Sequence, residues 1–302
     1  MDMASSSSTD DDRYCMTTPI ATETTAMTTT TRARDVQQLR IYYSIDGDRS
    51  RLQDISLELA RDLSEQLLSL VIQGYVPHSR DILTTLTFSS LRNFKLDTYN
   101  ERDTIALDLR PFLSNASTPN LTSLSLCDVN NTHDALVSSI TPKARLQSLV
   151  LNGCLMTEAS LLTLLETLSK PVIDVQQQQR QELKKLTLIL IPHVITSAVL
   201  NVIAQNMYAL EELRLQLDHQ ILPTSKLERF LDTRMQITTN KLLKLCISQS
   251  FDFQGNGCHD HSTVDNLLKK IGQNAKHWVY AEQREQPRYY YNDIKMKKEL
   301  SG

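Results

Sequence analysis

One hexamer frame, apolar-x-x-apolar-x-apolar, recurs along the chain. It reads LRNFKL from Leu91, LTSLSL from Leu121, LQSLVL from Leu146, LKKLTL from Leu183, LEELRL from Leu210 and LLKLCI from Leu242. Successive starts lie 30, 25, 37, 27 and 32 residues apart, and a weaker version, VQQLRI, begins at Val36. The alternating apolar positions predict a short strand with one face buried. After the later frames come a few loop residues, a threonine, and then helix-spaced apolar residues. Thr132 precedes HDALVSSI, Thr157 precedes EASLLTLLETL, Thr196 precedes SAVLNVIAQNM, Thr224 precedes SKLERFLDTRM and Thr263 precedes VDNLLKKIGQN. A threonine oxygen accepts from the unpaired N–H groups of a helix's first turn, so these five are expected N-caps. Leu161, Leu164, Leu165 and Leu168 fall on one helical face. Strand, loop, capped helix, strand is thus one unit repeated at least five times. A single unit cannot bury both of its apolar faces, but a stack can.

Between Lys185 and Glu211 there is no Asp, Glu, Lys or Arg, and LTLILIPHVITSAVLNVIA has the length of a membrane span. Pro192, His193, Thr196, Ser197, Asn201, Gln205 and Asn206 interrupt it. Its first half is dense and β-branched up to Ile191, and helix spacing begins at Ala198. A strand followed by a helix is therefore expected, and no membrane association. Residues 1–35 are Ser/Thr-rich with hardly an aromatic, and Asp10, Asp11 and Asp12 sit among them. This composition predicts a disordered tail that is neither a secretory signal nor a mitochondrial presequence. The Asn-X-Ser/Thr matches at Asn115, Asn120 and Asn130 are accordingly expected to carry no glycan.

Of the 302 residues, 40% are hydrophobic and 22% charged, enough apolar material for a sizeable core. Lys+Arg number 32 against 35 Asp+Glu, and this net charge of −3 removes the generic electrostatic argument for nucleic-acid binding. Five scattered cysteines, an odd number, do not make a disulfide framework and point to a reducing compartment, cytoplasmic or nuclear. Catalytic signatures are missing from the sequence: there is no G-x-S-x-G, no G-x-x-x-x-G-K-[ST] and no H-E-x-x-H. Cys258, His259, Asp260 and His261, with His277 further on, are the one cluster of metal-capable residues. Adjacent ligands converge poorly on zinc, so a loop is expected there and no metal or other cofactor. Tyr289, Tyr290 and Tyr291 before KMKK are only a loose match to a nucleic-acid tail.

The frame at residues 146–168 resembles the leucine-rich repeats of ribonuclease-inhibitor-like proteins, and in particular the cysteine-containing repeats of F-box proteins. LQSLVLNGC matches L-x-x-L-x-L-x-x-C, with Cys154 at the position that hydrogen-bonds the loop in that family. The resemblance covers about residues 80–275, with an extension back to Val36. Tyr99, Val129, Ile191, Asp218 and Ser250 stand at the same position in other frames, and QQQQ at Gln176–Gln179 is an insertion.

The resemblance implies an α/β solenoid with parallel strands on a concave face and helices on a convex one. The implied organisation is a tail over 1–35, the solenoid over 36–280 and a C-terminal cap over 281–302. Residues 52–72, LQDISLELARDLSEQLLSLVI, fit the first unit's helix, with Leu52, Ile55, Leu59, Leu63, Leu67 and Leu70 on one face. RDILTTLTFSS fits a helix before the strand at Leu91. The aromatic stretch WVYAEQREQPRYYYND would act as a cap.

On that fold the third, fifth and seventh frame positions form rows across the concave face. The first row runs Asn93, Ser123, Ser148, Lys185, Glu212 and Lys244. The second runs Lys95, Ser125, Val150, Thr187, Arg214 and Cys246, and the third Asp97, Cys127, Asn152, Ile189, Gln216 and Ser248. Lys185, Glu212 and Lys244 are spaced to pair along their row. The expected partner-binding strip is Ser123, Ser125, Ser148, Asn152, Lys185, Thr187, Glu212, Arg214, Gln216 and Lys244. The function these readings imply is a non-catalytic protein-interaction module, not an enzyme. The family resemblance further implies a substrate receptor of a cullin–RING ubiquitin ligase, although residues 1–80 contain nothing like an F-box. The alternative is a regulator of GTPase-activating or inhibitor type, acting through a loop residue such as Arg102, Arg110 or Asn131.

Overall fold

In the computed structural model the leucine frames become the interior of one sheet. The structure describes residues 36–43, 49–74, 80–98, 108–129, 133–140, 145–154, 156–170, 172–174, 179–189, 194–217, 222–238, 242–251, 261–284 and 293–298. All fall in the compact unit Arg34–Gly302. The expected tail over 1–35 lies outside the described residues.

Strands and helices alternate as follows: β1 Gln38–Tyr43, α1 Arg49–Leu63, β2 Ser69–Gly74, α2 Arg80–Thr85, β3 Asn93–Thr98, β4 Ser123–Cys127, α3 His133–Ile140, β5 Ser148–Asn152 and α4 Glu158–Leu168. A short antiparallel hairpin comes next, β6 Val172–Asp174 with β7 Gln179–Gln181, at the QQQQ insertion. Then follow β8 Lys185–Ile189, α5 Ser197–Asn206, β9 Glu212–Leu217, α6 Thr224–Ile237, β10 Leu242–Phe251, α7 His261–Asn274, β11 Ala275–Arg284 and β12 Asp293–Lys298. Outside that hairpin the strands form one sheet in strict sequence order from β1 to β12. Nine of them are parallel, and β12 closes the edge antiparallel to β11.

The register explains why the frame repeats. Phe94, Leu124, Leu149, Leu186, Leu213 and Leu245 are consecutive partners across six strands, as are Leu96, Leu126, Leu151, Leu188, Leu215 and Ile247. All twelve are buried, and so is the leucine that opens each of the six frames. Apart from the buried Cys127 the intervening residues are partly or fully exposed, so one face of the sheet is covered and the other open. Each fully covered leucine contributes about 1.5–3 kcal/mol. Helices α3 to α7 pack each against the next. Leu161, Leu164, Leu165 and Leu168 are the buried face of α4, as their spacing predicts.

Two threonine caps form. Thr157 Oγ1 accepts from Ser160 N at 3.1 Å and Thr196 Oγ1 from Val199 N at 3.4 Å. Thr196 also donates to Glu158 Oε1 at 2.6 Å, tying the start of α5 to that of α4. Thr224 and Thr263 are corrections. Pro223 holds the N-cap of α6 and its carbonyl accepts from Lys226 N, which places Thr224 inside the helix and buried. Helix α7 begins at His261, two residues before Thr263. Thr132 lies outside the described residues.

The helix expected over 52–72 is a second correction. It ends at Leu63, and Leu67, Leu70 and Ile72 belong to another strand frame, LLSLVI, all three fully buried. Ser64 Oγ donates to Arg61 O at 2.8 Å where the helix stops. The aromatic C-terminal stretch supplies a further frame, AKHWVY. Ala275, Trp278 and Tyr280 stand in register with Leu242, Leu245 and Ile247 and are buried. Strand β11 accordingly runs through the expected boundary at 280/281. The uncharged run after Lys185 divides into β8 and α5, and no described helix is long and apolar enough to cross a membrane.

Candidate interaction face

The open face carries the three polar rows in the register that the frame implies. Asn93, Ser123, Ser148, Lys185, Glu212 and Lys244 are consecutive partners from β3 to β10. Lys95, Ser125, Val150, Thr187, Arg214 and Cys246 form the second row, and Asp97, Cys127, Asn152, Ile189, Gln216 and Ser248 the third. The ten strip residues therefore share one face. The missed frames extend it, with Ser69 beside Asn93 at one end and His277 beside Lys244 at the other.

Chemically the face has two halves. Over β4 and β5 it is small and neutral: Ser123, Ser125, Ser148 and Val150 are half-buried. Ser125 Oγ lies 4.0 Å from Cys127 Sγ, and Asn152 Oδ1 is buried without a hydrogen-bond partner among the described residues. Over β8 to β11 the face is charged. Lys185 Nζ meets Glu212 Oε1 at 2.7 Å, while Lys244 makes no ion pair among the described residues, so the expected triplet pairs on one side only. Arg214 Nη2 donates to Gln216 Oε1 at 3.4 Å. The Lys185–Glu212 pair is about half exposed, so it contributes about 0–1 kcal/mol and neutralises the row more than it braces the fold.

The strands leave the sheet through a repeated left-handed corner. Asp128 after β4 has φ 55° and Gly153 after β5 has φ 63°. Thr98 Oγ1 donates to the Asp128 carbonyl, and a Cβ at residue 153 would collide with the Asp128 carboxylate. Glycine is favoured there on both counts, although Asp128 shows that a short polar residue can hold the left-handed conformation. Burial, and then the nearby Asp97, push the Asp128 carboxyl above its ordinary value. An acid raised in the fold costs stability when ionised, and the cost fades as pH falls through its raised pKa. Asp128→Asn, which tolerates the left-handed region, is expected to stabilise the chain by about 0.5 kcal/mol at neutral pH after solvent screening. The gain should vanish below the carboxylate range. Urea unfolding of both proteins at the two pH values checks this.

Cys154, the residue carrying the family resemblance, is fully buried and donates to Leu126 O at 3.5 Å. Burial pushes its thiol up to about 12. Its expected behaviour is therefore inert: alkylation of Cys154 by iodoacetamide, followed by peptide mass spectrometry, should track global unfolding. Burial and Asp97 likewise raise Cys127. Burial thus disfavours the thiolate at both cysteines. Among the described residues no three His, Cys, Asp or Glu side chains converge as metal ligands. Cys258, His259 and Asp260 lie outside the described residues, as do Tyr289–Tyr291, Arg102 and Asn131. Arg110 is exposed and pairs with Asp108 through bonds of 2.9 and 2.8 Å from Nε and Nη2.

Sequence reasoning missed a buried cation, Arg234. It follows Leu227, Phe230 and Leu231 at helix spacing, so its place on the apolar stripe of α6 was the available signal.

No protein-family model matches the chain, and no curated protein matches it.

Proposed function

We propose that this chain is a leucine-rich repeat solenoid of the ribonuclease-inhibitor-like kind, working as a non-catalytic protein-binding module. The observation that carries the reading is the sheet: parallel strands added in sequence order, in-register leucines closing one face and polar rows on the other. An uninterrupted open face of this type suits an extended protein partner better than a small substrate. Fold alone does not fix function. The binding strip is Ser123, Ser125, Ser148, Asn152, Lys185, Thr187, Glu212, Arg214, Gln216 and Lys244. Within this reading, the similarity of the Cys154 frame to F-box repeats makes a cullin–RING ubiquitin ligase the specific assembly to test.

The test is capture of the tagged chain from its native lysate with quantitative mass spectrometry. The module reading expects a reproducible, near-stoichiometric protein partner, and the ligase reading expects cullin–RING subunits with it. Another partner without those subunits removes the ligase and keeps the module. Recovery of no stoichiometric partner removes both.

A further inference from the structure

Charge is unevenly divided between the two layers. Among described side chains on β8 to β11, Lys185, Arg214, Lys244 and Lys276 are basic and only Glu212 is acidic. Helices α4 to α7, which lie behind them, carry five acidic and five basic residues. The whole chain is net −3, so the sheet end is locally opposite in sign to the molecule. Glu212 is taken by Lys185. Arg214 and Lys244 are both exposed, and neither has an ion-pair partner among the described residues. Cys246, in register with Arg214 and two residues beyond Lys244, sits between the two cations. Burial raises its thiol, and the nearby Arg214 and Lys244 oppose that rise. His277, in register with Lys244 and exposed, widens the patch.

Arg214 and Lys244 are diagonal neighbours across β9 and β10, since Lys244 is in register with Glu212 and Arg214 with Cys246. Two such cations without an ion-pair partner among the described residues attract an anionic partner and discriminate against a cationic one. A nucleic acid is the poorer fit. Trp278 and Tyr280 point into the core, leaving no aromatic side chain described on the open face of β8 to β11 on which a base could stack.

We propose that the partner presents an acidic segment, rich in Asp and Glu, to the Arg214–Lys244 patch of the open face. This rests on the interaction-module reading and names the partner's chemistry. The test uses the full chain and a fluorescein-labelled oligo-glutamate peptide, read by fluorescence anisotropy. Binding should weaken as salt is raised. The variant Arg214→Ala/Lys244→Ala should lose about tenfold in affinity. Lys226→Ala/Arg229→Ala, exposed on α6, should stay within about twofold of the parent, with thermal unfolding showing every variant folded. No binding at low ionic strength, or equal loss in both pairs, overturns the proposal. So does an oligoribonucleotide of matched charge bound as tightly through the same two residues. A protein captured from lysate that ignores Arg214→Ala/Lys244→Ala would sink this inference while leaving the module intact.

Discussion

Phe112→Ala is expected to destabilise the chain by about 3–5 kcal/mol, the largest loss from a single apolar side chain here. Between β3 and β4 the described residues 108–120 lie in turns, and Leu109, Phe112 and Leu113 fill the core from there. Phe112 is fully buried, its ring centroid 4.3 Å from that of Phe94 and 5.8 Å from that of Phe88, the second contact edge-on. Its carbonyl accepts from Thr118 Oγ1 at 3.0 Å, which fixes the turn around the ring. Truncation removes the buried area and both aromatic contacts, and it leaves a cavity that a strand and two turns cannot easily close. Phe112→Leu, which keeps most of the volume, should cost less than half as much. Denaturant unfolding reads both, and the midpoint should move with little change in slope.

Arg234→Ala is expected to cost about 2–5 kcal/mol, for a different reason. Arg234 is 1% exposed, with Nη1 donating to Met207 O at 3.1 Å and Nη2 to Leu210 O at 2.9 Å. Met207 caps the C-terminus of α5 and Leu210 opens the frame of β9, so one side chain holds the turn of the preceding unit. The carbonyl end of α5 carries partial negative charge, which suits a cation. Nε has no partner. Removing the side chain takes the guanidinium donor from Leu210 O and leaves Met207 O with only the Leu210 N–H at 3.2 Å, and it opens a void. Arg234→Met restores volume without donors and should fall between the parent and Ala.

Burial pushes the guanidinium pKa down to about 10. A base lowered in the fold costs stability wherever it is charged, and relief begins only above that pH. The Arg234 effect should therefore be flat from acid to mildly alkaline pH. Unfolding free energies of the Ala variant within 1 kcal/mol of the parent would contradict this account.

The rows of the open face were legible in the sequence because a strand's period of two leaves no freedom once the buried positions are known. Leu149 and Leu151 under cover put Ser148, Val150 and Asn152 on the other side, and the neighbouring frames follow suit. Two frames were hidden by ambiguities of spacing and size. Leu59, Leu63, Leu67 and Leu70 keep a helical interval across the end of α1, so the helix was read too far; only the alternation of Leu70 and Ile72 marks the strand. AKHWVY opens on alanine and closes on tyrosine, and both differ in volume from the leucines elsewhere. The aromatic stretch reads as a terminal cap, whereas Trp278 and Tyr280 are core. The cap at Thr224 failed because Pro223 just before it has the dihedral angles of a helix entry and already occupies the N-cap.

Use of the open face in place of the helix face is the central claim, and one comparison tests it most directly. Tagged parent chain, the open-face variant Thr187→Arg/Arg214→Glu and the helix-face variant Lys226→Ala/Arg229→Ala would each be captured from the same lysate and their partners quantified. The account predicts that a stoichiometric protein held by the parent is kept by the helix-face variant and lost by the open-face variant, with all three chains equally folded. Retention by the open-face variant, or loss from the helix-face variant alone, would contradict it.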